Sequence, residues 1–183
     1  MTQPASSPSK RPGTSLPTRF DPRIVVFACN WCSYAGADTA GVSRIQHQPH
    51  FRMIRVMCSG RIQPAFVFRA FEKGADGVLV SGCHFGDCHY IFGNERAVEQ
   101  FAKTMNVVKI LGIDEVRLRL EWISAAEGNR FAEVINEFTD QVRALGPSPF
   151  AADDAIDEIE VPEGGGCMNE QSDAGTDADG GGN

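Results

Sequence analysis

Short apolar runs alternate with segments of helical spacing along the central part of this chain. Residues 24–28 and 77–81 are almost continuously apolar, which is typical of strands buried on both faces of a sheet. Residues 52–57 predict a further strand. Residues 116–122 alternate polar and apolar side chains with a period of two, which predicts a half-exposed strand at a sheet edge.

Between these strands, apolar residues recur every three or four positions, which is the spacing of one helix face. Asp38 and Asn94 stand where two of the helices begin, and their side chains predict N-caps. Gly74, Gly112 and Gly146 stand where helices end. The predicted helices cover residues 39–46, 64–71, 98–108 and 131–142.

Strands that alternate with helices predict an α/β fold, because parallel strands need crossover connections. We expect a mainly parallel four-stranded sheet with helices on both faces. The apolar pattern begins near residue 21 and ends near residue 147. The predicted organisation is therefore a disordered arm at 1–20, one folded domain at 21–147 and a flexible acidic tail at 148–183.

The charge of the chain is concentrated near its end. Net charge is −7, and no Lys or Arg follows Arg143, whereas ten acidic residues do. The rest of the chain is close to neutral, so the sequence shows no excess of basic residues of the kind that binds nucleic acid. The sequence contains neither an export signal nor an apolar run of the ~20 residues that a membrane helix needs. We therefore expect a cytoplasmic protein without direct membrane insertion.

Cysteines follow three of the predicted strands. The first strand runs into Cys29 and Cys32, the second into Cys58, and the third into Cys83 and Cys88. Ligand sites in parallel sheets lie beyond the carboxyl ends of the strands. The pattern predicts that these five thiols converge on one site, whereas the sixth cysteine, Cys167, stands alone in the predicted tail.

Clustered thiols in a chain without an export signal favour metal or redox chemistry over disulfides. Soft thiolates suit an iron–sulfur cluster or structural zinc, and a [2Fe–2S] cluster needs four ligands. One of the five cysteines is then surplus, and Cys32, the one furthest into a loop, is the weakest choice of ligand. Cys29 and Cys32 also have the spacing of a thiol oxidoreductase. No catalytic triad or carboxylate pair is apparent, so we assign no catalytic residue.

Four blocks of sequence resemble a known family. They are residues 29–38, which begin Cys-Asn-Trp-Cys, and residues 56–62, 74–90 and 121–128. In this order they are similar to the delta subunit of methyl-viologen-reducing hydrogenase. The resemblance covers about residues 23–145 and leaves out the predicted arm and tail.

The resemblance implies an electron-carrying subunit with one [2Fe–2S] cluster, held by four of Cys29, Cys32, Cys58, Cys83 and Cys88. It implies two kinds of partner. One is a flavin and iron–sulfur subunit of heterodisulfide-reductase type, and the other is a hydrogenase, a formate dehydrogenase or a similar redox module. Such complexes are large, and some perform flavin-based electron bifurcation. The subunit itself would relay electrons without catalysing a reaction.

Overall fold

The computed structural model describes residues 20–150 and shows one sheet of four parallel strands. The strands are β1 (Ile24–Cys29), β2 (Phe51–Val56), β3 (Gly77–Gly82) and β4 (Leu118–Trp122). The helices are α1 (Ser33–Val42), α2 (Pro64–Glu72), α3 (Gly93–Ile110) and α4 (Gly128–Leu145). The α/β class is as the sequence predicts. Most of the predicted arm and tail, Cys167 included, lies outside the described residues.

The order of the strands reverses in the middle of the sheet. The strands lie in the order β2-β1-β3-β4, so the chain first moves from β1 to one edge and then crosses to β3 on the other side. The predicted edge position of β4 is confirmed, and β2 forms the opposite edge. In parallel sheets a crevice forms beyond the carboxyl ends of the two strands at this reversal, and ligands bind there. Here those ends belong to β1 and β3.

Hydrophobic cores on both faces of the sheet hold the helices in place. Alternate residues of β1 point to opposite faces, so Ile24 packs with α1 and α4 whereas Phe27 packs with α2 and α3. Phe131 and Phe138 fill the first core and Phe71 fills the second. Truncation of a buried phenylalanine to alanine typically lowers the free energy of unfolding by about 3–5 kcal/mol. These rings therefore hold the helices firmly against the sheet. No helix within residues 20–150 combines the length and the apolar character required to cross a bilayer.

Helix α1 differs from its prediction. It begins at Ser33 rather than near residue 39, and Asp38 lies inside it, exposed, instead of capping it. The reason is close tertiary packing between small residues. A methyl group on Gly36 would lie 2.7 Å from the carbonyl oxygen of Ser124, and one on Gly128 would lie 2.8 Å from the backbone nitrogen of Ala40. This contact with the β4–α4 connection sets the position of α1, and a local spacing rule cannot foresee it.

Strand β4 is shorter than predicted because a 3-10 turn, Glu115–Arg117, precedes it. The side chain of Arg117 is buried, although the alternating pattern places it on an exposed face. Its guanidinium donates to the carbonyl oxygens of Asp76 at 3.0 Å, Gly146 at 2.9 Å and Pro147 at 3.0 Å. These bonds tie the end of α4 to the amino end of β3. They therefore lie at the end of the sheet opposite the thiols.

Candidate metal centre at the carboxyl edge of the sheet

Cys29 and Cys83 lie side by side at the ends of the two central strands. Ala28 of β1 is in register with Ser81 of β3, so the residues that follow emerge together. The two Sγ atoms are 3.8 Å apart, and the residues are 1% and 3% exposed. The topology of the sheet therefore places two buried thiols within direct contact in the crevice at the reversal.

Cys32 completes a group of three thiols. It ends the turn after β1 and directly precedes α1. The sulfur atoms of Cys29, Cys32 and Cys83 all lie within 4.8 Å of one another. Ser33 ties this turn to β3, because its hydroxyl donates to the carbonyl oxygen of Gly82 at 3.3 Å. The same hydroxyl lies 3.5 Å from the sulfur of Cys32.

The remaining two predicted thiols meet beside the first turn of α3. Cys58 is buried, and Cys88 packs against the group of three. A methyl group on Gly93 would lie 2.1 Å from the sulfur of Cys58 and 3.0 Å from that of Cys88. Both sulfurs therefore occupy the space that any side chain at position 93 would need. The structure thus brings all five predicted cysteines to the carboxyl ends of the strands. They form a group of three, which includes Cys32, and a neighbouring pair.

Hydrogen bonding among the three close thiols favours a single thiolate, at Cys29. Hydrogen bonds that Cys29 shares with the thiols of Cys32 and Cys83 lower the pKa of Cys29. The same bonds raise the pKa of Cys32 and of Cys83, with burial adding to both. Burial likewise raises the pKa of Cys58. Further thiolates in this buried group need a compensating positive charge, which a bound metal supplies.

Asn94 holds the loop that carries Cys83. Its side-chain nitrogen donates to the carbonyl oxygens of Cys83 at 3.3 Å and His84 at 2.8 Å. The sequence predicts Asn94 as the N-cap of α3, but the helix begins at Gly93 and is preceded by Phe92. Asn94 is therefore a residue of the first turn, where its side-chain oxygen accepts from the backbone N–H of Glu95 at 3.0 Å while its nitrogen binds the buried loop. This correction links the first turn of α3 to the thiol site.

Glu127 also holds this loop. One carboxylate oxygen accepts from the backbone N–H of Ser124 at 2.7 Å and lies 2.7 Å from Nε2 of His84. These contacts, the Ser124 bond foremost, hold the pKa of Glu127 below its usual value. The connection between β4 and α4 is thereby joined to the residue that follows Cys83.

We expect Glu127→Gln to destabilise the fold in a pH-dependent way. Because the pKa of Glu127 is depressed in the fold, its carboxylate adds stability above the ordinary glutamate pKa of about 4.3. That contribution is lost as pH falls through the folded value. Urea unfolding should show the variant weaker than the parent chain at neutral pH and equal to it in acid. Glu133→Gln, at an exposed position of α4, is the control, and an equal deficit at both pH values would contradict the assignment.

Aromatic side chains cover the two cysteine loops. The rings of Trp31 and His89 stack with centroids 3.9 Å apart and planes 15° apart. Nε1 of Trp31 donates to the hydroxyl of Tyr90 at 3.3 Å. Trp31 and Tyr90 remain about half exposed, at 46% and 48%. The sequence analysis predicts that both shield the site from water. In the structure they also join the loop after β1 to the loop after β3.

Sequence reasoning misses four residues that shape the site, namely Ser33, Gly93, Glu127 and the supporting role of Asn94. Glu127 and Ser33 both lie in resembling blocks, residues 121–128 and 29–38, and that resemblance is the available signal. Gly93 lies outside the four blocks and acts through contacts between segments far apart in sequence, which no local pattern marks.

The donor set suits a soft metal centre. All five candidate ligands are thiols, four of them are buried, and glycine allows backbone to pack against the sulfurs. Thiolates of this kind bind iron–sulfur clusters or zinc in preference to hard cations. Fold and site together define an α/β protein with a buried cysteine centre of metal-binding type at the reversal of its sheet.

Comparison with known proteins then places the chain in a family. The sequence model of "Methyl-viologen-reducing hydrogenase, delta subunit" matches residues 24–146. The chain belongs to this family, as the sequence blocks indicate.

Relatives are similar across the same region. An iron-sulfur subunit of the F420-non-reducing hydrogenase vhc of Methanococcus voltae is 51% identical over 128 residues, covering 70% of this chain and 89% of the relative. An iron-sulfur subunit of the F420-non-reducing hydrogenase of Archaeoglobus profundus is 50% identical over 131 residues, covering 72% and 96%. One subunit of the ferredoxin:CoB-CoM heterodisulfide reductase of Methanosarcina mazei is 51% identical over 126 residues, covering 69% of this chain but only 16% of that longer protein.

Proposed function

We propose that the chain is a [2Fe–2S] electron-transfer subunit. The observation that carries the proposal is the convergence of five thiols at the carboxyl edge of the sheet, three of them with sulfurs within 4.8 Å. When bound, a [2Fe–2S] cluster accepts and releases single electrons without making bonds to a substrate. The chain's own part is to hold the ligands, exclude water and present the site to partners.

Four of the five thiols serve as ligands in this proposal. A [2Fe–2S] cluster takes two thiolates at each iron. Cys58 and Cys88, which meet beside Gly93, form one pair. The second pair comes from Cys29, Cys32 and Cys83. Cys32 remains the weakest choice, because its sulfur also lies 3.5 Å from the hydroxyl of Ser33, which gives it a protein partner of its own.

The names of the relatives support the choice of partners. Two are iron–sulfur subunits of a hydrogenase, and another carries the similar segment within a longer subunit of a heterodisulfide reductase. We infer that this chain relays electrons between a heterodisulfide-reductase-type flavin subunit and a hydrogenase, formate dehydrogenase or similar module. The large complex that results would be of the kind that supports electron bifurcation.

Burial argues against a thiol oxidoreductase. Cys29 and Cys32 are 1% and 6% exposed. Thiol–disulfide exchange needs a thiolate that a disulfide substrate can reach. Cys29 also contacts Cys83, so the pair does not stand as an isolated dithiol. Structural zinc uses the same ligands and differs from the proposal in its metal content.

The relay is tested by anaerobic mixing with its expected acceptor. The chain, reduced and freed of excess reductant, is mixed with the heterodisulfide-reductase-type flavin subunit of the same genome. We expect flavin reduction in proportion to the amount of reduced chain, and none when the chain is omitted. A cluster-loaded chain that leaves the flavin oxidised would contradict this choice of partner.

A further inference from the structure

An apolar groove leads from the open edge of the sheet to the thiol site. It has a volume of about 1270 Å³ and lies between β2, the 3-10 turn Ser59–Arg61 and the first turns of α2 and α3. Ile54, Phe66 and Phe92 line it and are exposed to solvent. Cys58, which is buried, also lines it. A side chain that enters this groove therefore reaches one of the proposed ligands.

Three exposed arginines surround the groove. Arg61 and Arg96 line it, and Arg52 shares the face of β2 with Ile54, because alternate residues of a strand point the same way. Among residues 20–150, none of the three forms an ion pair. Glu99 is the acidic residue in the lining. The groove is thus apolar inside and carries an excess of positive charge.

At the opposite edge of the sheet, formed by β4, the arginines form ion pairs. Arg119 of β4 pairs with Glu121 and Glu137, and Arg130 of α4 pairs with Glu121. Charges on an edge strand often serve only to prevent pairing with other strands. That role fits Arg52, but Arg61 and Arg96 lie outside β2 and face the groove. Protection of the edge therefore does not explain the three positions together.

We propose that this groove binds an acidic protein surface that inserts an apolar side chain beside Cys58. Complementary charge selects and orients such a partner, and the apolar contact holds it. The proposal rests on the proposed function, because the partner would be one that exchanges electrons with the chain. Its chemistry is that of an acidic one-electron carrier.

The test is direct binding of a plant-type ferredoxin, an acidic iron–sulfur protein, to the full chain. Calorimetry gives the dissociation constant at low and at high salt. Replacing Arg52, Arg61 and Arg96 by Gln should weaken binding by about tenfold or more at low salt and flatten the dependence on salt. Ile54→Ser should weaken binding at both salt concentrations.

A matched control removes three exposed cations outside the groove lining. They are Arg44, Arg55 on the other face of β2, and Lys109. The control variant should bind ferredoxin like the parent chain. An equal loss in the control, no effect of the groove substitutions, or no ferredoxin binding by the parent chain would overturn the proposal. Self-association of the parent chain that the groove substitutions abolish would assign the groove to a second copy and overturn it as well.

Iron content measured on the same preparations separates this proposal from the proposed function. A chain that binds ferredoxin through the groove but holds no iron contradicts the cluster and leaves the docking surface standing. A chain that holds the cluster but binds ferredoxin without regard to the arginines contradicts the docking surface alone.

Discussion

Cys83→Ser is expected to abolish cluster binding while the fold survives. The sulfur of Cys83 lies 3.8 Å from that of Cys29 at the end of a central strand. The surplus thiol, Cys32, is held at the start of α1 beside the hydroxyl of Ser33, so we expect it not to take the place of Cys83. Serine offers a hard oxygen that stays protonated and suits a soft metal poorly. Bound iron should fall by roughly tenfold or more if four thiolates are needed. Since serine has nearly the shape of cysteine, stability without metal should change by no more than about 1–2 kcal/mol.

The chain supplies its own control in Cys167, which lies outside the described residues and outside the resemblance. Cys167→Ser should leave iron content, spectrum and stability unchanged. Both variants are compared by iron analysis and by thermal unfolding of the metal-free chain. Full iron content in Cys83→Ser would remove Cys83 from the proposed ligands. Unfolding of that variant would make its iron content uninformative, and Cys58→Ser would then test the second pair.

Gly93→Ala is expected to disturb the second pair of thiols without adding or removing a ligand. The new methyl group would lie 2.1 Å from the sulfur of Cys58, which is shorter than real contacts allow, and 3.0 Å from that of Cys88, which is a tight contact. Backbone of Gly93 also packs on Gly60, where an added methyl would lie only 2.5 Å from the Gly93 carbonyl oxygen. The first turn of α3 therefore cannot simply move towards the 3-10 turn. Strain of this kind costs about 1–3 kcal/mol.

The measurement for Gly93→Ala is the spectrum and the lifetime of the cluster. We expect altered EPR g values and a cluster that is lost several-fold faster on exposure to a chelator, comparable to other changes in the shell around metal ligands. Gly41→Ala is the control, because a methyl group there meets nothing within 4 Å. Gly41 lies in α1, so alanine should if anything stabilise the helix by about 0.5–1 kcal/mol. A normal spectrum and lifetime in Gly93→Ala would show that Cys58 and Cys88 are not held as a ligand pair.

The sequence predicts the architecture well because the strands have a simple pattern. Apolar runs such as 24–28 and 77–81 lie within observed strands, and the position of the first cysteines after them follows directly. The edge position of β4 follows from its alternation of polar and apolar residues. Parallel strands place their carboxyl ends together, so thiols that follow those strands must converge.

The parts that the sequence does not predict depend on contacts across the fold. The start of α1 is set by close packing of Gly36 and Gly128 against distant backbone. Asn94 lies within the first turn of α3 rather than before it, and its side chain binds the Cys83 loop, which only the folded chain brings near. The position of Cys32 among three close thiols likewise depends on how the turn after β1 folds over β3. Spacing along the chain contains none of this information.

The central claim is that these thiols bind a [2Fe–2S] cluster, and metal analysis tests it most directly. The full chain is purified without oxygen, iron and acid-labile sulfide are measured per chain, and an EPR spectrum is recorded after reduction with dithionite. The account predicts about two irons and two sulfides, with the signal of a reduced [2Fe–2S] centre. Stoichiometric zinc without iron or sulfide would contradict it and assign the site to structural metal binding.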